Sequence, residues 1–300
     1  MLSVIICTYN RAKYIGNLLA SLAANNLPYS EYEIVLVDNN CTDNTRDICG
    51  DFARANKAVN FRYCHEHEQG LSAARNKGIR EAKGDVLVYV DDDALVDKWY
   101  LQTIRDYMCK NKQIMAVGGP IIPQYETVKP AWMTRYTEEL LGGYLYFGDK
   151  VRSFPRGRYP GGGNAAYRAV VFEKTGLFNT ALGRKGDSLM GAEEKDIFDK
   201  MDALNMKYMY LPKMILHHLI PQKKLEQDYF DRLTLQIGRS EYQRTRAISK
   251  SKYAVRLLKE CIKWAGTIVL WCGYLLQGMP QKGNKLISFR INVTKGLLGG

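Results

Sequence analysis

The sequence predicts an α/β protein: a doubly wound, mostly parallel sheet followed by a helical C-terminal extension. Three observations predict it. Short apolar runs alternate with segments of helical spacing through the first 120 residues. Most of these runs are continuous rather than alternating in polarity, as happens when a parallel sheet is covered on both faces. Polar residues gather just beyond the carboxyl ends of the runs, where open α/β sheets bind their ligands.

Taken in order, residues 2–7 (LSVIIC) read as the first strand. Residues 12–25 carry Ile15, Leu18, Leu19 and Leu22 at helical spacing. Residues 34–37 (IVLV) are a second buried strand, and residues 43–57 a helix with Asp43 as its N-cap. Residues 59–64 (VNFRYC) alternate like a strand. Residues 71–83 are helical and end at Gly84, in the role of a C′ glycine. Residues 85–90 form the fourth strand and residues 100–110 the next helix. Residues 120–192 differ, being rich in Gly, Pro, Tyr and Trp. In the stretch "RYPGGGNAAYR" at 158–168 three glycines in a row allow close backbone approach to a ligand, or simply make a mobile loop. "GAEEKDIFDKM" at 191–201 starts a helix with its acids in the first turn, where the dipole favours them. Residues 208–211 and 215–218 are short strands, and helices are expected from Leu225 onward.

The bulk composition is that of an ordinary globular protein. With 300 residues, 46% hydrophobic, 11% aromatic and 25% charged, the chain builds a sizeable core and is not disordered. The seven cysteines are scattered without a CxxC, which predicts reduced thiols in a cytosolic protein. Cys64-His65-x-His67 has no fourth ligand nearby, so zinc is not expected there. The first residues lack a basic region and a long apolar run, so no signal peptide is expected. Charge is uneven: residues 222–300 hold fifteen Lys or Arg against five Asp or Glu, +10 of the chain's +12. A basic tail on a near-neutral body implies an anionic partner. Residues 262–276 (IKWAGTIVLWCGYLL) are apolar but too short for a span of about 20 residues. Residues 253–276 are therefore expected at a membrane interface, the alternative being a helix packed on the enzyme core.

The sharpest signal is "VYVDDDALV" at 88–96. Asp91, Asp92 and Asp93 come directly after a buried strand. One aspartate would satisfy a helix N-cap; three adjacent carboxylates add repulsion and gain nothing more as a cap. A hard divalent cation bound through oxygen removes that repulsion and leaves positions open for phosphate oxygens. The cluster therefore predicts a metal–diphosphate site.

These residues, with "SVIICTYNR", "EIVLVDNNCTDNT", "QGLSAARNKGI", "GDVLVYVDDDA", "GGGNAAYR", "GAEEKDIF" and "HHLIP", resemble the family 2 glycosyltransferases. Seven pieces occur in order over residues 2–221. The resemblance implies the Rossmann-like GT-A fold and a metal-dependent inverting glycosyltransferase using Mn²⁺ or Mg²⁺. It implies that Thr8 and Tyr9, in the segment that ends with Arg11, hold the nucleotide base, and that Asp38 accepts a hydrogen bond from the base, usually uracil. Arg75 lies near the nucleotide. Asp92 binds the ribose, Asp93 the metal, and Asp91 supports them or touches the base. His218 approaches the diphosphate or metal, with His217 as its neighbouring alternative. Gly162, Gly163 and Asn164 match the loop beneath the donor sugar. The catalytic base matches the pair Glu193-Glu194, where Glu replaces the usual Asp; Glu194 is the first choice and Glu193 the second, with Asp196 completing the motif.

The expected organisation is a catalytic domain over 1–221, with 1–120 binding the nucleotide and 121–221 the donor sugar and acceptor, and a basic helical region over 222–300. The expected partners are a nucleotide-sugar, UDP-linked, and a saccharide or lipid-linked acceptor in cell-surface glycan synthesis. The protein is expected in the cytoplasm, peripheral at the inner face of the plasma membrane, with no nucleic-acid partner. Two alternatives are a sugar-nucleotide nucleotidyltransferase, which would want a Gly-rich loop where Thr8-Tyr9-Asn10-Arg11 stands, and a non-enzymatic nucleic-acid binder, whose phosphates the acid cluster would repel.

Overall fold

In a computed structural model of the chain, residues 1–186 and 192–299 are described. The first half alternates strand and helix: β1 (Leu2–Thr8), α1 (Ala12–Ala23), β2 (Tyr32–Asp38), α2 (Thr45–Ala55), β3 (Phe61–His65), α3 (Leu71–Glu81), β4 (Val86–Val90), β5 (Ala94–Val96) and α4 (Tyr100–Lys110). Next come β6 (Ile114–Gly118), β7 (Ile121–Tyr125), α5 (Arg135–Gly142), β8 (Arg152–Ser153), β9 (Asn164–Arg168), α6 (Val170–Thr175), α7 (Glu193–Ala203), β10 (Lys207–Tyr210) and β11 (Leu216–Ile220). Three helices complete the chain: α8 (Gln227–Ile248), α9 (Lys250–Leu276) and α10 (Pro280–Leu297).

The main sheet has eight strands in the order β3-β2-β1-β4-β9-β6-β10-β8. β1, β2, β3 and β4 run parallel, as do β6 and β10. β9 runs antiparallel between β4 and β6. A second sheet has the order β5-β11-β7. The alternation of side chains along each strand divides the core. Val4, Ile6, Ile34 and Leu36 point to one face, against Ile15, Leu18 and Leu22 of α1 and Leu101 and Ile104 of α4. Ile5, Leu87, Tyr89 and Tyr167 point to the other, against Phe172, Phe178, Ile197 and Phe198. Each fully buried aliphatic or Phe side chain contributes about 1.5–3 kcal/mol.

Three expectations need correction. The Gly-rich stretch at 158–168 is a loop only in part, because residues 164–168 enter the sheet as β9. α3 stops at Glu81, so Gly84 is not its C′ residue. Gly84 lies where the chain passes β1: its N–H donates to Ser3 Oγ at 2.8 Å, and an added Cβ would stand 2.7 Å from the Met1 carbonyl. Asp43 does not act as the cap residue of α2, which begins at Thr45 after Asn44. Its Oδ1 accepts from the Thr45 N–H at 3.1 Å, and its Oδ2 accepts from the Ala12 N–H at 2.9 Å, at the start of α1. Despite partial burial, the Thr45 hydroxyl, which donates to Oδ1 at 2.6 Å, and these N–H groups hold the Asp43 carboxyl below its ordinary range.

The chain divides into two compact units. The first comprises Met1–Gln124, Gly143–Thr180 and Glu194–Leu219; the second comprises Tyr125–Gly142, Ala181–Glu193 and Ile220–Gly300. Within the second, Met133, Leu141, Phe230 and Leu233 form a small core. Lys285 Nζ lies 4.2 Å from the Trp132 ring centre and 4.0 Å from that of Phe230, and donates to Gln227 Oε1 at 2.7 Å. Burial pulls the Lys285 ammonium below its ordinary value. α8 and α10 meet backbone to backbone at two glycines. A Cβ on Gly238 would lie 2.2 Å from the Val293 carbonyl oxygen, and one on Gly296 would lie 2.1 Å from that of Leu235. Gly238→Ala and Gly296→Ala are each expected to cost about 1–3 kcal/mol by overpacking. Thermal denaturation followed by circular dichroism should show a fall of about 2–4 °C per kcal/mol. Unchanged melting in both variants would mean that the helices do not approach this closely.

Candidate active site

The carboxyl ends of β1, β2 and β4 and the start of β9 lie along one edge of the main sheet. Thr8 pairs with Asp38 in the β1–β2 register, and Val90 pairs with Asn164 in the β4–β9 register. The parallel strands bring polar residues from distant parts of the chain to this edge, because each strand's polar residues begin where its apolar run ends.

Asp38 is buried and held by two donors. Oδ1 accepts from the Cys41 N–H at 2.6 Å, and Oδ2 accepts from the Tyr63 hydroxyl. Burial and the Asp38 carboxylate push the Tyr63 phenol above its ordinary value. Tyr63 is a site residue that the sequence pattern does not single out; its only signal is its place on β3, beside β2, near the level of Asp38. Asn39 braces the next loop: its Nδ2 donates to the carbonyls of Glu66 and Glu68 at 3.1 and 2.7 Å, and its Oδ1 accepts from the Gly70 N–H at 2.7 Å. Gly70 opens α3, which carries Arg75. Asn10 Oδ1 accepts from the Thr42 N–H at 2.7 Å and so ties the loops after β1 and β2 together. Tyr9 stands beside it and is 42% exposed.

The three aspartates do different things. Asp93 is 4% exposed. Its Oδ1 lies 3.0 Å from His218 Nε2, and its Oδ2 lies 3.8 Å from Arg11 Nη2. Asp92 Oδ1 lies 3.9 Å from Arg11 Nε. Burial first, and then the charge of Asp93, push the Asp92 carboxyl up to about 7, against the pull of Arg11. Asp91 lies against Gly163, where an added Cβ would meet its Oδ2 at 2.0 Å. His218 reaches Asp93 because β11 pairs antiparallel with β5, setting His218 opposite Ala94, and because the Leu219 N–H donates to the Asp93 carbonyl at 2.9 Å. Successive strand residues face opposite ways. His217 accordingly lies elsewhere, with its Nδ1 3.2 Å from Gln124 Nε2. Of the two histidines, His218 is the one beside the acids.

The second carboxylate group is at the start of α7. Glu194 Oε1 receives Arg75 Nη1 at 2.9 Å, and a Cβ on Gly162 would lie 1.7 Å from the same oxygen. Arg75 is buried, with its guanidinium 5.7 Å from the Tyr89 ring centre and 5.3 Å from that of Phe178. Glu193 belongs to the second unit and is only 2% exposed. Asp196 pairs with Lys200 at 2.7 Å, one helical turn on. Gly191, at the head of the "GAEEKDIF" stretch, lies outside the described residues. Asn164 has a different employment from its glycine neighbours. It is fully buried, its Nδ2 donates to the carbonyls of Pro120 and Met214 at 2.8 and 3.2 Å, and its Oδ1 accepts from the Tyr100 hydroxyl at 2.8 Å. It anchors the Gly162-Gly163 turn from inside the protein.

Asp93 and His218 together offer one carboxylate oxygen and one imidazole nitrogen. Among the described residues, no three His, Cys, Asp or Glu side chains are grouped as a metal site. A two-residue protein donor set suits Mg²⁺ or Mn²⁺, which keep the remaining positions for phosphate oxygens and water. Burial, and after it the charge of Asp93, disfavours an ionised Asp92 beside this pair. Cys7, close by, is pushed up to about 12 by burial and is an inert thiol.

Comparison with known proteins extends this geometry. The glucosyl-dolichyl phosphate glucuronosyltransferase of Haloferax volcanii is 26% identical over 231 residues, 76% of this chain and 72% of that protein. Several other relatives named as glycosyltransferases match about a third of this chain, and the chain spans only 16–38% of their length. Among solved structures, the mannosyltransferase PcManGT of Pyrobaculum calidifontis, in complex with GDP-Man and Mn²⁺, superposes with a TM-score of 0.65. It is 17% identical, and the match covers 98% of this chain and 86% of that one. Residues 1–349 of TarS from S. aureus, in complex with UDP, give a TM-score of 0.55 at 19% identity, over 100% of this chain and 92% of that one. At these identities the likeness shows the fold, which is GT-A. The family described as Glycosyl transferase family 2 matches residues 3–176, more than half of the chain. This match decides for a glycosyltransferase over a nucleotidyltransferase. The chain is therefore a member of glycosyltransferase family 2 and carries that family's GT-A fold.

Proposed function

We propose that this glycosyltransferase moves a sugar from a UDP-linked donor, with inversion at the anomeric carbon and with Mn²⁺ or Mg²⁺, to a saccharide or lipid-linked saccharide. One observation carries the reading. A buried carboxylate, Asp93, paired with the half-buried imidazole of His218, and a separate carboxylate, Glu194, belong to one sheet edge, where Asp91 and Glu194 abut adjacent glycines of a single turn. Inverting transfer requires two such centres: one beside the departing diphosphate and one beside the attacking hydroxyl. The complexes of the structural relatives with GDP-Man and Mn²⁺ and with UDP support the donor class. The dolichyl phosphate in the name of the Haloferax relative supports a lipid-linked acceptor, and with it a place in cell-surface glycan synthesis at the cytoplasmic face of a membrane.

In this reading Asp93 and His218 would hold the cation, and Arg11, beside Asp92 and Asp93, would meet the nucleotide. The cation, when bound, neutralises charge on the leaving nucleoside diphosphate. Thr8 and the exposed ring of Tyr9 hold the base. Asp38, its orientation fixed by Tyr63 and the Cys41 N–H, accepts a base N–H, and Asp92 meets the ribose. The acceptor hydroxyl gives its proton to Glu194. Its oxygen bonds to the anomeric carbon as the bond from that carbon to the diphosphate oxygen breaks, and the electron pair leaves with the diphosphate. Arg75 holds Glu194 Oε1 and fixes the direction of the carboxylate. The bare backbone of Gly162 admits this carboxylate and that of Gly163 admits Asp91, and Asn164 is the positioning residue beneath the turn. Glu193, buried and one residue earlier, is the second choice of base.

Three outcomes are expected. Glu194→Gln should lower kcat by about 10²–10⁴-fold while UDP affinity holds, and Glu193→Gln should leave turnover near wild type. The reverse pattern would shift the base to Glu193. Asp93→Ala, folded by circular dichroism, should lose the turnover that Mn²⁺ restores to chelator-treated wild-type protein. Full activity in chelator would remove the metal from the account. Gly162→Ala should lower kcat far more than it weakens UDP binding, because the new Cβ would displace the Glu194 carboxylate. An unchanged kcat would mean that Glu194 does not act from this position.

A further inference from the structure

The long helix α9 is amphipathic in the reverse of the usual sense. Its inward side is polar. Arg256 and Glu260 are buried, with Arg256 Nη1 2.7 Å from Glu260 Oε2. Arg256 Nε also lies 3.0 Å from Glu241 Oε2 of α8, and Arg290 Nη1 of α10 lies 2.8 Å from Glu260 Oε1. Although burial opposes it, these guanidinium groups hold the Glu260 carboxyl below its ordinary range. Thr267, also buried and further along the helix, donates to the Lys263 carbonyl at 2.8 Å. The outward side is apolar. Val255, Leu258, Ile262, Val269 and Leu276, spaced at three, four and seven, are 50%, 63%, 66%, 71% and 90% exposed.

Three observations identify what covers this face. First, the stripe is broad: Ile268 and Leu275 are exposed in a second column beside the first. A helix–helix seam is narrower. Second, the only acid of α9 is the buried Glu260, while Lys250, Lys252 and Lys259 stand outside the buried side. Two copies packed on this face would bring lysines together with no carboxylate from α9 to pair them; an anionic surface would pair them all. Third, no helix among the described residues is long and apolar enough to cross a membrane. A helix of this length, apolar outward and basic at its flank, lies in an interface rather than through it.

We propose that α9 docks this protein on an anionic lipid bilayer, with its outward apolar face in the interface and its lysines on the headgroup phosphates. In naming the partner this rests on the membrane part of the proposed function, but on none of its catalytic residues.

The test is co-sedimentation of the full chain with vesicles made of equal parts phosphatidylglycerol and phosphatidylcholine, and with vesicles of phosphatidylcholine alone. Wild-type protein should bind the first at least about tenfold better than the second, and less as salt rises. Ile262→Asp with Val269→Asp should abolish binding while melting temperature and UDP affinity stay at wild-type values. Lys252→Glu with Lys259→Glu should weaken binding by about 30-fold or more. Wild-type binding by the Ile262→Asp/Val269→Asp protein would overturn the proposal, as would failure of wild-type protein to bind either vesicle. A wild-type dimer that the Asp pair dissolves, with vesicle binding unchanged, would assign the face to a second copy instead. Vesicle binding by a chain that does not bind UDP would support docking while counting against the donor reading.

Discussion

The rest of the site depends on the crowding of negative charge at the end of a buried strand. Two unit charges about 4 Å apart repel by about 4 kcal/mol in partly buried surroundings, several times the ~1 kcal/mol that a helix cap is worth. The structure offsets part of this repulsion with its own cations. His218 meets Asp93 closely, and Arg11 faces both Asp92 and Asp93 at longer range. The Asp92 carboxyl is still raised to about 7, by burial first and by the Asp93 charge second. A further positive charge would relieve the part due to Asp93, which supports the proposed metal-borne diphosphate at this edge.

Close approach is the second constraint. Asp91 and Glu194 come from different parts of the chain, after β4 and at the head of α7, yet each carboxylate presses on one residue of the 162–163 turn. Any side chain there would overlap them. The residues just after the turn fix it in place: Asn164 is held by Tyr100, Pro120 and Met214, and β9 is zipped between β4 and β6. The glycines and the antiparallel strand thus belong together, one admitting the acids and the other holding the glycines in place.

Much of the fold is legible in the sequence because the apolar runs of β1, β2 and β4 are short, continuous and separated by helical spacing. The acid cluster is legible because three adjacent aspartates have no comparable structural use. β6 and β9 are not. "GGGNAAYR" reads as a loop by its glycines, and only the neighbouring strands turn its second half into sheet. Gly84 and Asp43 mislead for a related reason: each has a plausible local role, but Gly84's partner, Ser3, and one of Asp43's partners, Ala12, lie more than thirty residues away. The choice between His217 and His218 requires the β5–β11 register, and Tyr63 requires that of β2 and β3. In α9 the apolar residues are plain in the sequence, but their direction is not. Only the buried ion pairs with α8 and α10 show that its polar side is the inner one.

Asp93 and His218 are proposed to gather a divalent cation and a nucleoside diphosphate at the sheet edge. Anomalous diffraction from crystals of this protein grown with Mn²⁺ and UDP tests it most directly. The expected result is a manganese peak bonded to Asp93 and His218, with UDP phosphates among its ligands. Manganese bound away from both side chains, or UDP bound with its phosphates distant from residues 91–93, would contradict it.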